Sequence, residues 1–190
     1  LLKRQPWKVF RFGKLLAQYH FQMHACDFNA EVPHQRDKLQ NRIERSDVLP
    51  VSLKPKLLNA LEPLPVGNKV CHGDFHPDNI IVTTNDSMII DWIDASKGNP
   101  LADVARTSVL ALGAASTFSL GMNLFIKLFH ASYLKEYFRL NQSGKEEYQQ
   151  WIPLVAKARL SENIPELENW LLKQAEKNPT PYSSNPPQFR

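Results

Sequence analysis

Apolar residues recur every three or four positions from Val9 to about Phe28, at Val9, Phe12, Leu15, Leu16, Tyr19 and Met23. That spacing predicts a long amphipathic helix. Pro33 closes its exit, and a more polar helix is expected from about Gln35 to Asp47. Pro50 interrupts the chain, and Lys54 to Leu61 reads as a short helix leading into Pro63 and Pro65. The texture then changes. Ile80-Ile81-Val82-Thr83 and Met88-Ile89-Ile90 are β-branched and apolar, and Thr84-Asn85-Asp86-Ser87 between them predicts a turn, so the pair predicts a β-hairpin. Asn99-Pro100 has the form of an N-cap followed by proline at the first helical position, opening a helix through about Leu112. Gly113 and Gly121 are expected to flank a short break. Helices then follow at about Leu124 to Leu140, Lys145 to Arg159 and Glu166 to Lys177. Residues 179–190, with Pro179, Pro181, Pro186 and Pro187, read as a loose tail. There is no internal repeat. The expected fold is α+β and mainly helical: a body over residues 1–178 with one small hairpin in its middle.

Composition narrows the classes without choosing among them. The chain has 190 residues, enough for one domain, with 43% hydrophobic and 22% charged residues, ordinary values for a globular protein. No apolar run approaches the roughly 20 residues that span a bilayer. The start, Leu1-Leu2-Lys3-Arg4-Gln5-Pro6, carries no signal-peptide pattern and no initiator methionine, so a piece of a longer protein is expected. A net charge of +4 arises from 23 basic and 19 acidic residues with no concentrated basic stripe, which argues against nucleic-acid binding. Cys26 and Cys71 lie far apart and form no CxxC pair, so metal-thiolate chemistry has no support and a reducing cytoplasm is the expected setting.

Chemistry concentrates in His72-Gly73-Asp74-Phe75-His76-Pro77-Asp78-Asn79 and in Asp91-Trp92-Ile93-Asp94. A hairpin with its turn centred near Asn85 would bring Asn79 and Asp91 opposite each other at its open end. Adjacent strands lie roughly 4.8 Å apart, close enough for both side chains to share one cation. Their oxygen ligands suit magnesium rather than zinc or copper. Asp74 precedes the hairpin beside a glycine, where a carboxylate can orient a hydroxyl and accept its proton.

The spacing His72-x-Asp74-x-x-x-x-Asn79 resembles the kinase catalytic loop, and Asp91 falls where the metal-binding Asp of the D-F-G position would be. The wording HGDFHPDNI, IIDWIDA and GNPLADVA, over about Val70 to Ala105, resembles the aminoglycoside phosphotransferase and choline kinase family. That resemblance implies the C-terminal lobe of the protein-kinase-like fold, with the hairpin carrying the metal site and the chemistry within residues 70–95. By it, Asp74 is the catalytic base, His72 braces the loop, and Asn79 and Asp91 hold magnesium. Asp103 supports the loop from behind. The implied reaction passes the γ-phosphoryl of ATP or GTP to a hydroxyl of a small molecule.

The family's other lobe grips the phosphates with a glycine-rich loop, a strand lysine and a helix glutamate. No two glycines here stand as G-x-G, no β-rich stretch precedes the first helix, and Lys14 lies in a helical pattern. That lobe is therefore expected to be absent from the chain and to come in cis or in trans. An uncovered lobe interface would favour self-association or a partner. Two other readings are a non-catalytic binding lobe and a metal-dependent hydrolase built on the alternation His72, Asp74, His76, Asp78. Only His130 follows as a further histidine for the latter. Asp94 is open between approaching the metal or acceptor and a structural role. His76 and Asp78 are expected to shape the loop, His20 and His24 to be structural, and Arg106 to form an ion pair. Glu162, Glu166 and Glu168 are expected on a solvated face rather than in a pocket for a cationic acceptor.

Overall fold

The computed structural model describes residues 5–26, 29–83 and 86–175, and its helices follow the apolar spacing of the chain. Helix α1 (Val9–Ala25) buries Val9, Leu16, Ala17, His20, Met23 and His24 along one stripe. The stripe packs lengthwise on α5 (Leu120–Asn141). The two helices meet most closely at Gly13, where a Cβ would lie 2.6 Å from the Phe129 carbonyl oxygen and 2.8 Å from Ser132 Cβ. The Ser132 hydroxyl donates to the Phe10 carbonyl across this contact at 2.7 Å. Helices α2 (Gln35–Arg45), α3 (Lys54–Leu61), α4 (Pro100–Thr117), α6 (Lys145–Arg159) and α7 (Pro165–Ala175) complete the helical body. Trp151, Tyr133, Tyr137, Phe75, Ile43, Leu61, Leu154 and Leu171 form the fully buried centre.

Helix α4 starts as its sequence indicates. Asn99 Oδ1 accepts the Leu101 N–H at 2.8 Å and Pro100 stands in the first turn. The same Asn99 donates to Pro65 O and Glu147 Oε1, tying α4 to the preceding loop and to α6. The expected break between Gly113 and Gly121 is shorter, because α4 continues to Thr117 and α5 begins at Leu120. Gly113 is held inside α4 by packing: its Cα faces the Trp170 ring and the Arg159 guanidinium. Contact with α6 and α7 outweighs the ~1 kcal/mol helix penalty of one glycine. Helix α2 ends at Arg45 rather than Asp47. The expected ends at Phe28 and Lys177, turn residues Thr84 and Asn85, and the tail 179–190 lie outside the described residues.

The strands form two separate antiparallel pairs, one beyond the other along a two-armed ribbon whose waist is unpaired. Strands β1 (Lys69–Cys71) and β4 (Ser96–Gly98) pair at its root, and β2 (Ile80–Val82) and β3 (Ser87–Ile89) pair at its tip. The root pair is too short and too polar for any alternation to announce it. Between root and tip, residues 72–79 bulge from one arm and 90–95 from the other. Among the described residues, no helix is long and apolar enough to cross a membrane.

Candidate active site

The bulge after β1 is fastened to α4 through its backbone. Asp103, fully buried, accepts the His72 N–H on Oδ2 at 2.7 Å and the Gly73 N–H on Oδ1 at 2.8 Å. One turn further along α4, Arg106 Nε donates to Gly73 O at 3.0 Å, and the Thr107 hydroxyl donates to Phe75 O at 2.9 Å. Phe75 drives its ring into the core and stacks on His20 with centroids 4.0 Å apart. His72 is fully buried, and its Nε2 lies 2.9 Å from Ile90 O. A carbonyl only accepts, so Nε2 carries the proton and Nδ1 is free to accept the Asp74 N–H at 3.2 Å. His72 therefore ties the two bulges of the ribbon together.

Within this frame the Asp74 side chain remains partly exposed. Its Oδ2 lies 3.3 Å from His76 Nε2 and accepts from Asn79 Nδ2 at 3.2 Å. The bond to His76 is the main reason the Asp74 carboxyl is held below the usual carboxylate range. The charges of His76 and Arg106 and the bond from Asn79 act in the same direction against partial burial. His76 is raised in turn, first by its bond to Asp74. Asn79 spends its Nδ2 on Asp74 O at 2.9 Å and Oδ2 at 3.2 Å, so its Oδ1 faces no donor among the described residues. Asp91 is exposed and has no hydrogen bond or ion pair among the described residues. Its backbone is left-handed, with φ 62° and ψ 62°, a conformation uncommon outside glycine that Asp and Asn tolerate best. One expectation needs correction. The ribbon register pairs Ile80 with Ile89, and Ile90 N bonds Asn79 O, so Ile90 rather than Asp91 stands opposite Asn79. Asp91 follows one residue later, past the last ladder bond.

Behind the loop, His20 and His24 of α1 converge on Asp103 Oδ2 at 3.1 and 3.3 Å through Nε2. Their Nδ1 atoms meet the Tyr133 and Tyr137 hydroxyls at 2.7 and 2.8 Å. The three ligand atoms lie within 4.8 Å of one another, a spacing that suits a divalent cation. Hydrogen bonds complete the cluster without one: each Nε2–H donates to Asp103 and each Nδ1 accepts from a tyrosine. Neutral His20 agrees with this, since burial and the neighbouring His24 push its pKa down to about 3. Asp103 stays ionised despite burial, held by the two histidines, with its carboxylate solvated by four N–H groups.

A family model described as "Phosphotransferase enzyme family" matches residues 3–154. The chain belongs to the phosphotransferase enzyme family. No curated protein matches it. Among solved structures, an ethanolamine kinase from Plasmodium vivax matches at 16% identity with a TM-score of 0.49, over 88% of this chain and 58% of its own. This family member thus spans less than two thirds of that kinase's length.

The remaining candidates of this phosphotransferase-family chain fall on both sides of the loop. Asp94 pairs with Arg42 Nη2 at 2.8 Å and Lys38 Nζ at 3.2 Å, both from α2, so it anchors the second bulge to the helical body. A small cavity of about 30 Å³ lies beneath it, lined by Lys38, Arg42, Gly73, Asp94 and Arg106 among others. Arg106 ion-pairs with Glu162, which accepts from Arg159 as well. Glu162 is therefore consumed by two guanidiniums and not presented to a cationic acceptor. Glu166 is exposed and Glu168 half-buried on α7. The alternation His72, Asp74, His76, Asp78 does not converge, since His72 is buried with both ring nitrogens bonded and Asp78 is exposed. Lys38, Arg42, Thr107 and Arg159 are the contributors no motif announced; the first three act through neighbours far away in sequence, and Arg159 through Glu162, three residues on.

Proposed function

We propose that this chain is the catalytic lobe of a small-molecule kinase, in which Asp74 is the base and Asn79 and Asp91 hold magnesium. The observation that carries it is the division of labour at the waist of the ribbon. Asp74 keeps one carboxylate oxygen unpartnered among the described residues, while Asn79 and Asp91 keep oxygens that nothing else engages. The oxygen donors of Asn79 and Asp91 fit magnesium by donor chemistry. Magnesium bound there would neutralise charge on a transferring phosphoryl group.

In this reading an acceptor hydroxyl approaches Asp74 Oδ1, because Oδ2 is occupied by His76 and Asn79. Asp74 orients the hydroxyl and takes its proton as the oxygen attacks the γ-phosphorus of ATP or GTP, breaking its bond to the β–γ bridging oxygen and releasing the nucleoside diphosphate. His76 and Asn79 keep the carboxylate ionised and fix its rotamer. Most of the rate then comes from positioning and electrostatics. The glycine-rich loop and strand lysine come from sequence outside these residues, in the same protein or in a second chain. Asp74→Asn, which keeps shape and removes the base, is expected to lower kcat by roughly 100-fold or more with little change in acceptor KM. The assay is ATP-dependent phosphorylation of a hydroxyl-compound panel by the longest natural form. Near-normal turnover in the Asn variant would overturn the assignment.

A second reading, a lobe that binds a partner without catalysis, draws on the cross-strand pair Ile81–Met88 and on Ile93, all apolar and exposed beside the site. It predicts concentration-dependent self-association in analytical ultracentrifugation, weakened by Met88→Lys. A strictly monomeric wild type at high concentration would remove its support.

A further inference from the structure

We propose that Arg106, Glu162 and Arg159 form a positioning relay that fixes the Gly73–Asp74 peptide and thereby aims the Asp74 carboxylate; it rests on the reading of Asp74 as the base. That peptide is fastened at both ends. Its carbonyl accepts from Arg106 Nε at 3.0 Å, and its N–H donates to His72 Nδ1 at 3.2 Å. Gly73 has φ +79°, and any Cβ there would lie 2.6 Å from Asp94 O, so the backbone has little room to choose another path. With the peptide plane fixed, the Cα–Cβ direction of Asp74 is fixed too, and only its side-chain torsions remain.

The aim of Arg106 itself is set from outside its helix. Its Nη2 donates to Glu162 Oε1 at 2.5 Å, and Glu162 Oε2 accepts from Arg159 Nε at 3.1 Å. Arg159 Nη1 reaches Val109 O at 3.4 Å, back on α4. One carboxylate thus holds two buried guanidiniums, each through one charge-assisted bond, while the fork of Arg106 leaves its Nε for Gly73 O. Burial and the charge of Arg106 lower the Arg159 pKa, as two close cations require. Without Glu162 the two cations would repel, and Arg106 would lose the contact that presents Nε to Gly73 O. A pair serving only to staple α4 to the turn after α6 needs no bond to Gly73.

The test uses the ¹⁵N-labelled 190-residue chain and the variants Glu162→Gln, Arg106→Met and their combination. Glu162 is partly exposed, and its amide variant is nearly isosteric, so this variant carries the test should Arg106→Met fail to fold. Both single variants are expected to shift the Gly73 and Asp74 amide resonances and to speed exchange of the Asp74 amide about tenfold, with core amides of α1 and α5 unchanged. The double variant should exchange no faster than Arg106→Met. An unchanged Asp74 amide in Glu162→Gln, or acceleration spread equally over the core, would overturn the relay. In a phosphotransfer assay of the longest natural form, Glu162→Gln should lower kcat several-fold at constant acceptor KM. A wild type with no turnover would count against Asp74 as base, whereas the exchange result would still decide the relay.

Discussion

Asp103 and Asp91 place a carboxylate in opposite surroundings. Asp103 is sealed from water and accepts four N–H groups, two from the loop backbone and two from histidines. Asp103→Asn replaces one acceptor oxygen with an NH₂ that must face donors. Each lost bond to a charged acceptor is worth about 1.5–3 kcal/mol, so a loss of at least about 3 kcal/mol is expected in urea denaturation. A loss below 1 kcal/mol would show that the buried network contributes little. Asp91, by contrast, stands in water with a left-handed backbone that Asn adopts equally well. Asp91→Asn should leave the melting temperature unchanged and abolish paramagnetic broadening of amides near Asn79 by Mn²⁺ used as a magnesium probe. Retained broadening would remove Asp91 from the proposed metal site. At this scale the spacing of Asp74, Asn79 and Asp91 was legible because it lies within one short stretch. The one-residue register error arose because a turn centre between two residues cannot be read from composition alone. Arg106, Glu162 and Arg159 were not legible as a unit, since their pairing depends on where α4 and α6 cross.

At the scale of elements, the α1–α5 contact is a tight constraint. Gly13 sits in a helix interior, where glycine costs ~1 kcal/mol against alanine, yet a methyl there would meet the Phe129 carbonyl and Ser132. Gly13→Ala is therefore expected to destabilise by about 1–3 kcal/mol despite its better helix propensity. Because Phe129, Ser132 and Tyr133 share one stretch of α5, the displaced helix should also disturb the Tyr133–His20 bond. Thermal unfolding checks the first effect, and the second reads as a shift in the His20 ring resonances. A stabilised alanine variant would mean the helices separate at no cost. The amphipathic helices were legible because period and burial agree, as in α1. The α4–α5 junction was misplaced because glycine weighs against a helix locally, while Trp170 and Arg159, remote in sequence, hold Gly113 in one. The β1–β4 pair escaped notice for the same reason: three residues a side, stabilised by what flanks them.

Across the whole molecule, the loop of residues 72–79 is joined to a core that carries neutral histidines, and this couples fold stability to acid. His20 is fully buried with its pKa lowered to about 3, first by burial and then by His24; burial alone lowers His130 to about 4. Each takes up its proton near pH 6.5 once unfolded. Between pH 6.5 and the folded values, the unfolded chain binds more protons, so stability is full above about pH 6.5 and falls as pH drops. At pH 5 the loss is about 2 kcal/mol per histidine, a large share of a typical domain's stability. The phenol partners do not offset this, since Tyr133 and Tyr137 titrate far above the range. His76, raised by its bond to Asp74, gains stability as pH falls and offsets part of the loss from His20 and His130. Asp103 attracts a proton to His20, but desolvation and the second histidine outweigh it. Urea midpoints measured from pH 8 to pH 5 should fall steadily below pH 6.5. His20→Gln, which can still donate to Asp103 and accept from Tyr133, should flatten that slope while lowering stability at pH 8. The loop anchored on Asp103 and stacked through Phe75 on His20 should loosen along the same curve. A wild-type midpoint independent of pH over this range would mean that neither His20 nor His130 is held neutral in the folded chain.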